Sequence, residues 1–208
     1  MLLTPAVRKL LLMVHVTASV GWIGALAVFL ALALLSVLSQ EHTVVSAAGI
    51  AMGAAAWLVI LPLSLTAFAS GVVQALGTPW GLVRNYWVVF KLLLTALATT
   101  VLVMKLAPIR YLADTSAQTT LRGDDLAGVR MSVLIHAGAG LLVLLANAAL
   151  AIFKPQAVTG FGAPELSQPA ATPLWVKVFA VAVGGLLMMT LLMMCTGRHG
   201  PGADMMHG

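Results

Sequence analysis

The chain has 208 residues, of which 61% are hydrophobic and only 8% are charged, and its formal net charge is +5. So little charge excludes a water-soluble domain of this length and indicates a polytopic α-helical membrane protein, because helices satisfy their own backbone hydrogen bonds in lipid. The 11 basic residues are scattered, which excludes a nucleic-acid-binding stripe. The single cysteine, Cys195, excludes a cysteine-built zinc site.

Five apolar runs reach the roughly 20 residues that a helix needs to cross the hydrocarbon layer. They cover residues 10–38, 44–76, 86–106, 127–153 and 173–195. We predict an all-α fold, with a four-helix core and a fifth, peripheral transmembrane helix in a single transmembrane domain over residues 1–195, followed by a polar, flexible tail over 196–208. The first run is too long for a signal-peptide core, so we expect a retained anchor.

Features within these runs predict how the helices bend and pack. Pro62 is expected to kink the second helix, because proline lacks the backbone N–H and clashes with the preceding turn. Gly49 and Gly53 are four residues apart, a spacing that lets a second helix approach closely, and the helix-one glycines Gly21 and Gly24 are expected to allow the same. Residues 107–125 carry mixed charge and are predicted to form a loop between the third and fourth helices.

The orientation in the membrane follows from the basic residues, which are enriched on the cytoplasmic side. A cytoplasmic N-terminus places six of them inside and five outside, and leaves the C-terminus outside. The inner six are Arg8, Lys9, Arg84, Lys91, Lys154 and Lys177, and the outer five are Lys105, Arg110, Arg122, Arg130 and Arg198.

Polar residues inside the apolar runs are predicted to form one layer near the inner face. Counting about 1.5 Å per residue from the nearest boundary charge places His15 about 9 Å deep and Lys91 about 10 Å deep. Asn147 on the fourth helix lies at the same depth, with Ser70 and Gln74 near the end of the second. A titratable side chain in hydrocarbon is costly, which makes His15 and Lys91 candidates for a functional site. The alternative is that Lys91 snorkels to the headgroups.

His136 is predicted to lie in the opposite half of the membrane. It is six residues past Arg130 on a helix that enters from the other side. We therefore do not expect His15 and His136 to share one haem iron.

The C-terminal tail carries soft metal ligands. Imidazole and thioether groups suit Cu(I), and the tail supplies both in His199, Met205, Met206 and His207. Together with His136, these residues are the candidates for a copper site.

His15, Trp22, Gly24 and Ala25 have the spacing of a His…Trp-x-Gly-Gly pattern. On these residues the chain resembles a group of small bacterial membrane proteins that includes the CopD-type copper-resistance proteins and the HemJ-type protoporphyrinogen oxidases, and within it an uncharacterised family of integral membrane proteins. The segment 85–94, Asn-Tyr-Trp-Val-Val-Phe-Lys-Leu-Leu-Leu, is similar to the part of both types that places a lysine early in the third helix. The resemblance covers about residues 7–153.

The resemblance implies a bacterial cytoplasmic-membrane protein in which His15 and Lys91 take part in binding haem b, with Trp22 and Asn147 as further cofactor-contacting candidates. The HemJ-type pattern has two more histidines, where this chain reads Leu34-Leu35-Ser36 and Ala96-Leu97-Ala98, and this difference argues against porphyrinogen oxidation.

Three functional hypotheses result from the sequence. The first is a haem b-binding redox or electron-transfer protein whose site includes His15. His15 is a candidate both for contact with the cofactor and for binding the metal. The second is a CopD-like copper-handling protein. The third is a cofactor-free subunit or assembly factor of a membrane complex, whose polar stripes fix the helix register. The expected partners are the lipid bilayer and either other subunits or further copies of the chain.

Overall fold

The fold is all-α, as predicted, and consists of long membrane-spanning helices. The computed structural model describes residues 4–77, 85–117 and 126–153, and in the C-terminal part residues 174, 176–178, 180–182, 184–185 and 188. Within this part of the chain, four helices are long and apolar enough to cross a membrane. We label them α1 (Pro5–Leu38), α2 (His42–Gly77), α3 (Tyr86–Ala117) and α4 (Ala127–Phe153).

The four helices form a bundle in which each one packs against its two neighbours in a ring. α1 contacts α2 and α4, and α3 contacts the same two helices from the opposite side, so α1 and α3 face each other diagonally. Contacts between neighbours show that they run antiparallel: Gln74 at the end of α2 reaches Leu11 near the start of α1, and Asn147 late in α4 reaches Thr95 early in α3. α1 and α3 therefore run in the same direction. We name the two ends of the bundle the His15 end and the Lys105 end.

The middle of the bundle is filled by apolar side chains. One core cluster contains Trp22, Leu26 and Phe29 of α1, Met52 and Ile60 of α2, and Leu144 of α4, all 8% exposed or less. Its position separates the polar side chains at the two ends of the bundle.

A π-helical turn in α2 precedes and accommodates Pro62. The turn covers Ala56–Ile60, and the α-helix resumes at Leu61 and continues to Gly77. A proline ring clashes with the carbonyl four residues before it, which for Pro62 is that of Leu58, inside this turn. The disturbance predicted from Pro62 therefore takes the form of a local widening of the helix just before the proline.

α3 is longer than predicted, and the proposed loop over residues 107–125 is wrong for its first part. The helix continues through Pro108 to Ala117. Ile109 and Leu112 are buried at 4% and 1% exposure, so the turns after the proline gain core contacts. Arg110 and Asp114 form an exposed ion pair at 3.8 Å on the opposite face. Tertiary packing thus outweighs the one backbone hydrogen bond that Pro108 cannot make.

Gly49 and Gly53 of α2 lie against α3, as their spacing predicts. A Cβ atom at Gly53 would be 2.6 Å from the Cβ of Ala113, and one at Gly49 would overlap the side chain of Ser116. The Ser46 hydroxyl also donates a hydrogen bond to the backbone oxygen of Ser116. By contrast, Gly24 of α1 has no atom within 4 Å of its Cβ position, so it supports no close approach among the described residues.

The described residues of the predicted fifth helix, between Leu174 and Met188, are helical. Val176 is buried at 4% exposure in a small cluster with Phe90 and Leu94 of α3 and Leu150 of α4. Leu174 and Val181 are each 77% exposed. A helix that buries one side against α3 and α4 and exposes the other is peripheral to the four-helix core.

Candidate functional site

His15 is fixed between α1 and α2 by two hydrogen bonds to the same ring nitrogen. Nδ1 lies 3.0 Å from the backbone oxygen of Ala67 and 3.1 Å from the hydroxyl of Ser70. The ring rests on Gly71, where a Cβ atom would be only 3.1 Å from its Cε1. The absence of a side chain at Gly71 therefore makes room for the imidazole.

The hydrogen-bond pattern determines the tautomer of His15. The carbonyl of Ala67 can only accept, so Nδ1 carries the proton and donates it. The Ser70 hydroxyl donates its own proton to the backbone oxygen of Thr66 at 2.5 Å. The lone pair of the neutral ring is then on Nε2. Both hydrogen bonds use Nδ1, which leaves Nε2 for a ligand.

Lys91 lies at the same end of the bundle, on the diagonally opposite helix α3. It is half-buried and close enough to His15 for an electrostatic interaction between the two side chains. The structure therefore places His15 and Lys91 near each other, as predicted. Whether either binds a cofactor remains a prediction.

Asn147 joins α4 to α3 in the same layer. Its Nδ2 donates to the hydroxyl of Thr95 at 2.7 Å, and that hydroxyl donates to the backbone oxygen of Lys91 at 2.7 Å. Two buried oxygen atoms here, Oδ1 of Asn147 and Oγ1 of Thr99, have no hydrogen-bond partner among the described residues. Buried polar atoms usually have a hydrogen-bond partner, so these two oxygens are available to a further hydrogen-bonding group.

Gln74 completes the layer by donating from Nε2 to the backbone oxygen of Leu11 at 3.0 Å. We call this set the His15 layer: His15, Ser70, Gln74, Lys91 and Asn147. Trp22, the fourth cofactor-contacting candidate, lies elsewhere. It is seven residues after His15, about 10 Å along the helix, and is 3% exposed in the apolar core.

His136 lies with a different lysine, at the opposite end of the bundle. Its Nδ1 is 2.6 Å from the backbone oxygen of Ser132, one turn earlier on α4. Lys105 of α3 donates to the hydroxyl of Ser132 at 3.4 Å and interacts electrostatically with His136. We call Lys105, Ser132 and His136 the Lys105 cluster. The two histidines are associated with different lysines at opposite ends of the bundle.

Sequence reasoning missed Lys105 and Gly71. Lys105 was assigned only to the boundary charges, although it is fourteen residues, close to four helical turns, after Lys91 and so lies on a similar face of α3. That spacing is a usable signal. Gly71 had no comparable signal, because its role depends on which helix His15 packs against.

Most of the candidate copper ligands lie outside the residues that the structure describes. His199, Met205, Met206 and His207 lie outside the described residues, and so does Cys195. Among the described residues, no group of three or more histidine, cysteine, aspartate or glutamate side chains is placed to hold a metal ion. The copper site remains a prediction.

Comparisons with protein-family models, with curated proteins and with solved structures found no match for this chain.

Proposed function

We propose that this chain is a haem b-binding redox protein of the bacterial cytoplasmic membrane, in which His15 would be a ligand of the haem iron. The observation that carries the proposal is the hydrogen bond from Nδ1 of His15 to the backbone oxygen of Ala67. Metal-ligating histidines almost always donate their other ring N–H to a carbonyl, a carboxylate or water, which fixes the tautomer and the ring orientation. His15 has this arrangement.

The donor set of the His15 layer fits a haem in two further respects. Lys91 lies on the helix diagonally opposite His15, at the same end of the bundle, and interacts with it electrostatically. Lys91 would act as the second ligand or as a charged partner of the bound group. The unsatisfied oxygens of Asn147 and Thr99 offer polar contacts on the same side. A haem held there would supply reversible one-electron transfer.

The chain's own residues would orient and insulate such a group. Ala67 and Gly71 of α2 fix the imidazole plane of His15, and Gln74 ties the ends of α1 and α2 together. The apolar core, which includes Trp22 and Leu26, closes the layer from the rest of the bundle. The resemblance to the HemJ-type proteins supports the same two residues, His15 and Lys91.

The test is a visible absorption spectrum of the detergent-purified protein in its oxidised and dithionite-reduced forms. We expect a Soret band and sharp α and β bands on reduction. The His15→Ala variant should lose them, whereas the matched His136→Ala variant should keep them. A colourless wild-type protein from cells supplied with haem would overturn the proposal, and so would a His15→Ala protein that retains full haem.

Lys91 is tested separately. Lys91→Met should change the position or intensity of the absorption bands, and Lys105→Met should not. A Lys91→Met spectrum identical to that of the wild type would restrict the site to His15 and remove Lys91 from it.

A cofactor-free subunit of a membrane complex is the second candidate. The observation that favours it is that several polar side chains bond directly between helices, including Gln74 to Leu11 and Asn147 to Thr95. Such bonds can fix helix register without any ligand. A colourless, metal-free protein that copurifies with other membrane subunits would support this candidate.

The proposed orientation places the N-terminus in the cytoplasm and the His15 layer in the cytoplasmic half of the membrane. It rests on the narrow excess of basic residues on that side. Labelling of single engineered cysteines with an impermeant reagent in intact cells checks it. A cysteine introduced at residue 40, between α1 and α2, should react, and one introduced at residue 6 should not. The reverse pattern would invert the orientation without affecting the haem proposal.

A further inference from the structure

Three hydrogen-bond donors without an acceptor meet in the Lys105 cluster. An ammonium group has three N–H donors, and Lys105 directs one of them at the Ser132 hydroxyl, 3.4 Å away. The other two have no acceptor among the described residues, and neither does the proton of the Ser132 hydroxyl. Both side chains are half-buried. An ammonium group of α3 and a hydroxyl of α4 thus offer donors to the same acceptor.

No carboxylate balances the positive charge of Lys105 in the part of the chain that the structure describes. The acidic residues there are Glu41 and Asp114, and their one ion pair joins Asp114 to Arg110 on the exposed face of α3. The nearby His136 ring donates from Nδ1 to the backbone oxygen of Ser132 at 2.6 Å, so it supplies no negative charge either. A half-buried cation is stabilised by an anionic partner, and here that partner must come from outside the described residues.

Arg130, in the first turn of α4, is a second cation of this kind. Its Nε is buried and has no hydrogen-bond partner among the residues described. Residues two apart on a helix do not face each other, so Arg130 leaves α4 on a different side from Ser132 and does not share its ligand directly. It still adds a positive charge about 10 Å away, one helix diameter, which is close enough to attract the same anion.

The level of Lys105 in the membrane indicates where the anion comes from. Lys105 is fourteen residues, about 21 Å, after Lys91 on α3. Lys91 is predicted to lie about 10 Å from the boundary at the His15 end, and the hydrocarbon layer is about 30 Å thick. Lys105 therefore reaches the opposite boundary, and the exposed pair of Arg110 and Asp114 lies beyond it. The anions concentrated at this level are phospholipid headgroups.

We propose that Lys105 and Ser132 bind the phosphate of an anionic phospholipid headgroup. The phosphate oxygens accept hydrogen bonds from the two remaining N–H groups of Lys105 and from the Ser132 hydroxyl, and the acyl chains stay in the surrounding bilayer. Arg130 strengthens the preference for a headgroup with net negative charge, because a zwitterionic headgroup carries an ammonium group that both cations repel. The inference does not rest on the proposed function, since His15 lies at the other end of the bundle.

The experiment identifies the phospholipid that the full-length protein retains. The protein is equilibrated with vesicles of equal parts phosphatidylglycerol and phosphatidylcholine, extracted in mild detergent and weighed by native mass spectrometry. We expect preferential retention of phosphatidylglycerol. Lys105→Met and Ser132→Ala should each reduce it by about tenfold or more, since each removes a hydrogen bond to a charged group. Arg130→Met should reduce it by about fivefold, the effect of one basic residue near a membrane surface.

Three controls separate binding from folding and from general charge. Ser132→Thr keeps the hydroxyl and Lys105→Arg keeps the positive charge, so both should retain phosphatidylglycerol. Arg110→Met removes an exposed cation from the same end of α3 and should change nothing.

Equal retention of the two lipids by the wild type would overturn the proposal. A preference for phosphatidylglycerol that Lys105→Met and Ser132→Ala leave unchanged would do the same. Displacement of the lipid by an excess of inorganic phosphate would also overturn it, because the site would then take a free anion in place of a headgroup.

Discussion

The His15 end and the Lys105 end of the bundle are held together by different contacts. At the His15 end, polar side chains reach from one helix to the next, as His15 does to Ala67 and Asn147 to Thr95. At the Lys105 end, α2 and α3 pack through glycines, with Gly53 directly against Ala113. Lipid tails are as apolar as leucine, so membrane helices associate through close packing and hydrogen bonds. Hydrogen bonds between helices also occur at the Lys105 end, from Ser46 to Ser116 and from Lys105 to Ser132. The two closest glycine contacts among the described residues, at Gly49 and Gly53, nevertheless lie at that end, so the two ends should respond to different mutations.

The largest effect is expected from adding volume at the Lys105 end. Gly53→Ala would place a Cβ 2.6 Å from that of Ala113, so the two helices would have to move apart. The control is Gly24→Ala, which adds the same methyl group where no atom lies within 4 Å. Both changes gain similar helix propensity, so the difference isolates the overlap. We expect Gly53→Ala to be about 2 kcal/mol less stable than Gly24→Ala.

The measurement is the free energy of unfolding from a titration with SDS in mixed micelles. Equal stability of the two variants would mean that the α2–α3 contact relaxes without cost, and the glycine packing would then not distinguish this end of the bundle.

The same comparison shows which features sequence reasoning can predict. Composition and run length predict the four spans found among the described residues, and a four-residue glycine spacing predicts that a second helix approaches α2 closely, because both depend on local pattern. The common depth of His15 and Lys91 also follows from counting residues along α1 and α3, which run in the same direction. Each of these predictions needs only helix geometry and the thickness of the membrane.

Features that depend on tertiary contacts were not predictable in this way. The mixed charge of residues 107–125 predicted a loop, but burial of Ile109 and Leu112 accompanies the continuation of α3 through Pro108. The hydrogen bond from His15 to Ala67 depends on which face of α2 meets α1, and periodicity alone does not determine that choice. The association of Lys105 with His136 likewise required the relative rotation of α3 and α4.

A smaller effect is expected from a methyl group at Gly71, at the His15 end. The Cβ of Gly71→Ala would lie 3.1 Å from Cε1 of His15, so the ring must shift by a few tenths of an ångström and its hydrogen bond to Ala67 should weaken. The control is Gly21→Ala, whose Cβ meets only the methyl groups of Leu63, at 3.4 Å or more. We expect a difference of about 1 kcal/mol in unfolding free energy, the scale of one hydrogen bond.

Gly71→Ala also provides a test of the proposed haem site. If His15 is an axial ligand, the shifted ring should alter the absorption bands of the bound haem, and Gly21→Ala should not. A change in stability without any change in the spectrum would keep the packing role of Gly71 but separate it from the cofactor site.

The smallest effect is expected for the hydrogen bond between Asn147 and Thr95. A double-mutant cycle with Asn147→Ala and Thr95→Ala measures their coupling in unfolding free energy, and hydrogen bonds between membrane helices average about 0.6 kcal/mol. A parallel cycle of Thr95→Ala with Ser132→Ala, at the other end of α4, should give no coupling because the two sites share no contact. Coupling confined to the first cycle would mean that polar contacts set the register of α3 and α4 at the His15 end even without a bound group. Zero coupling in both would mean that the hydrogen bond between Asn147 and Thr95 adds no stability there.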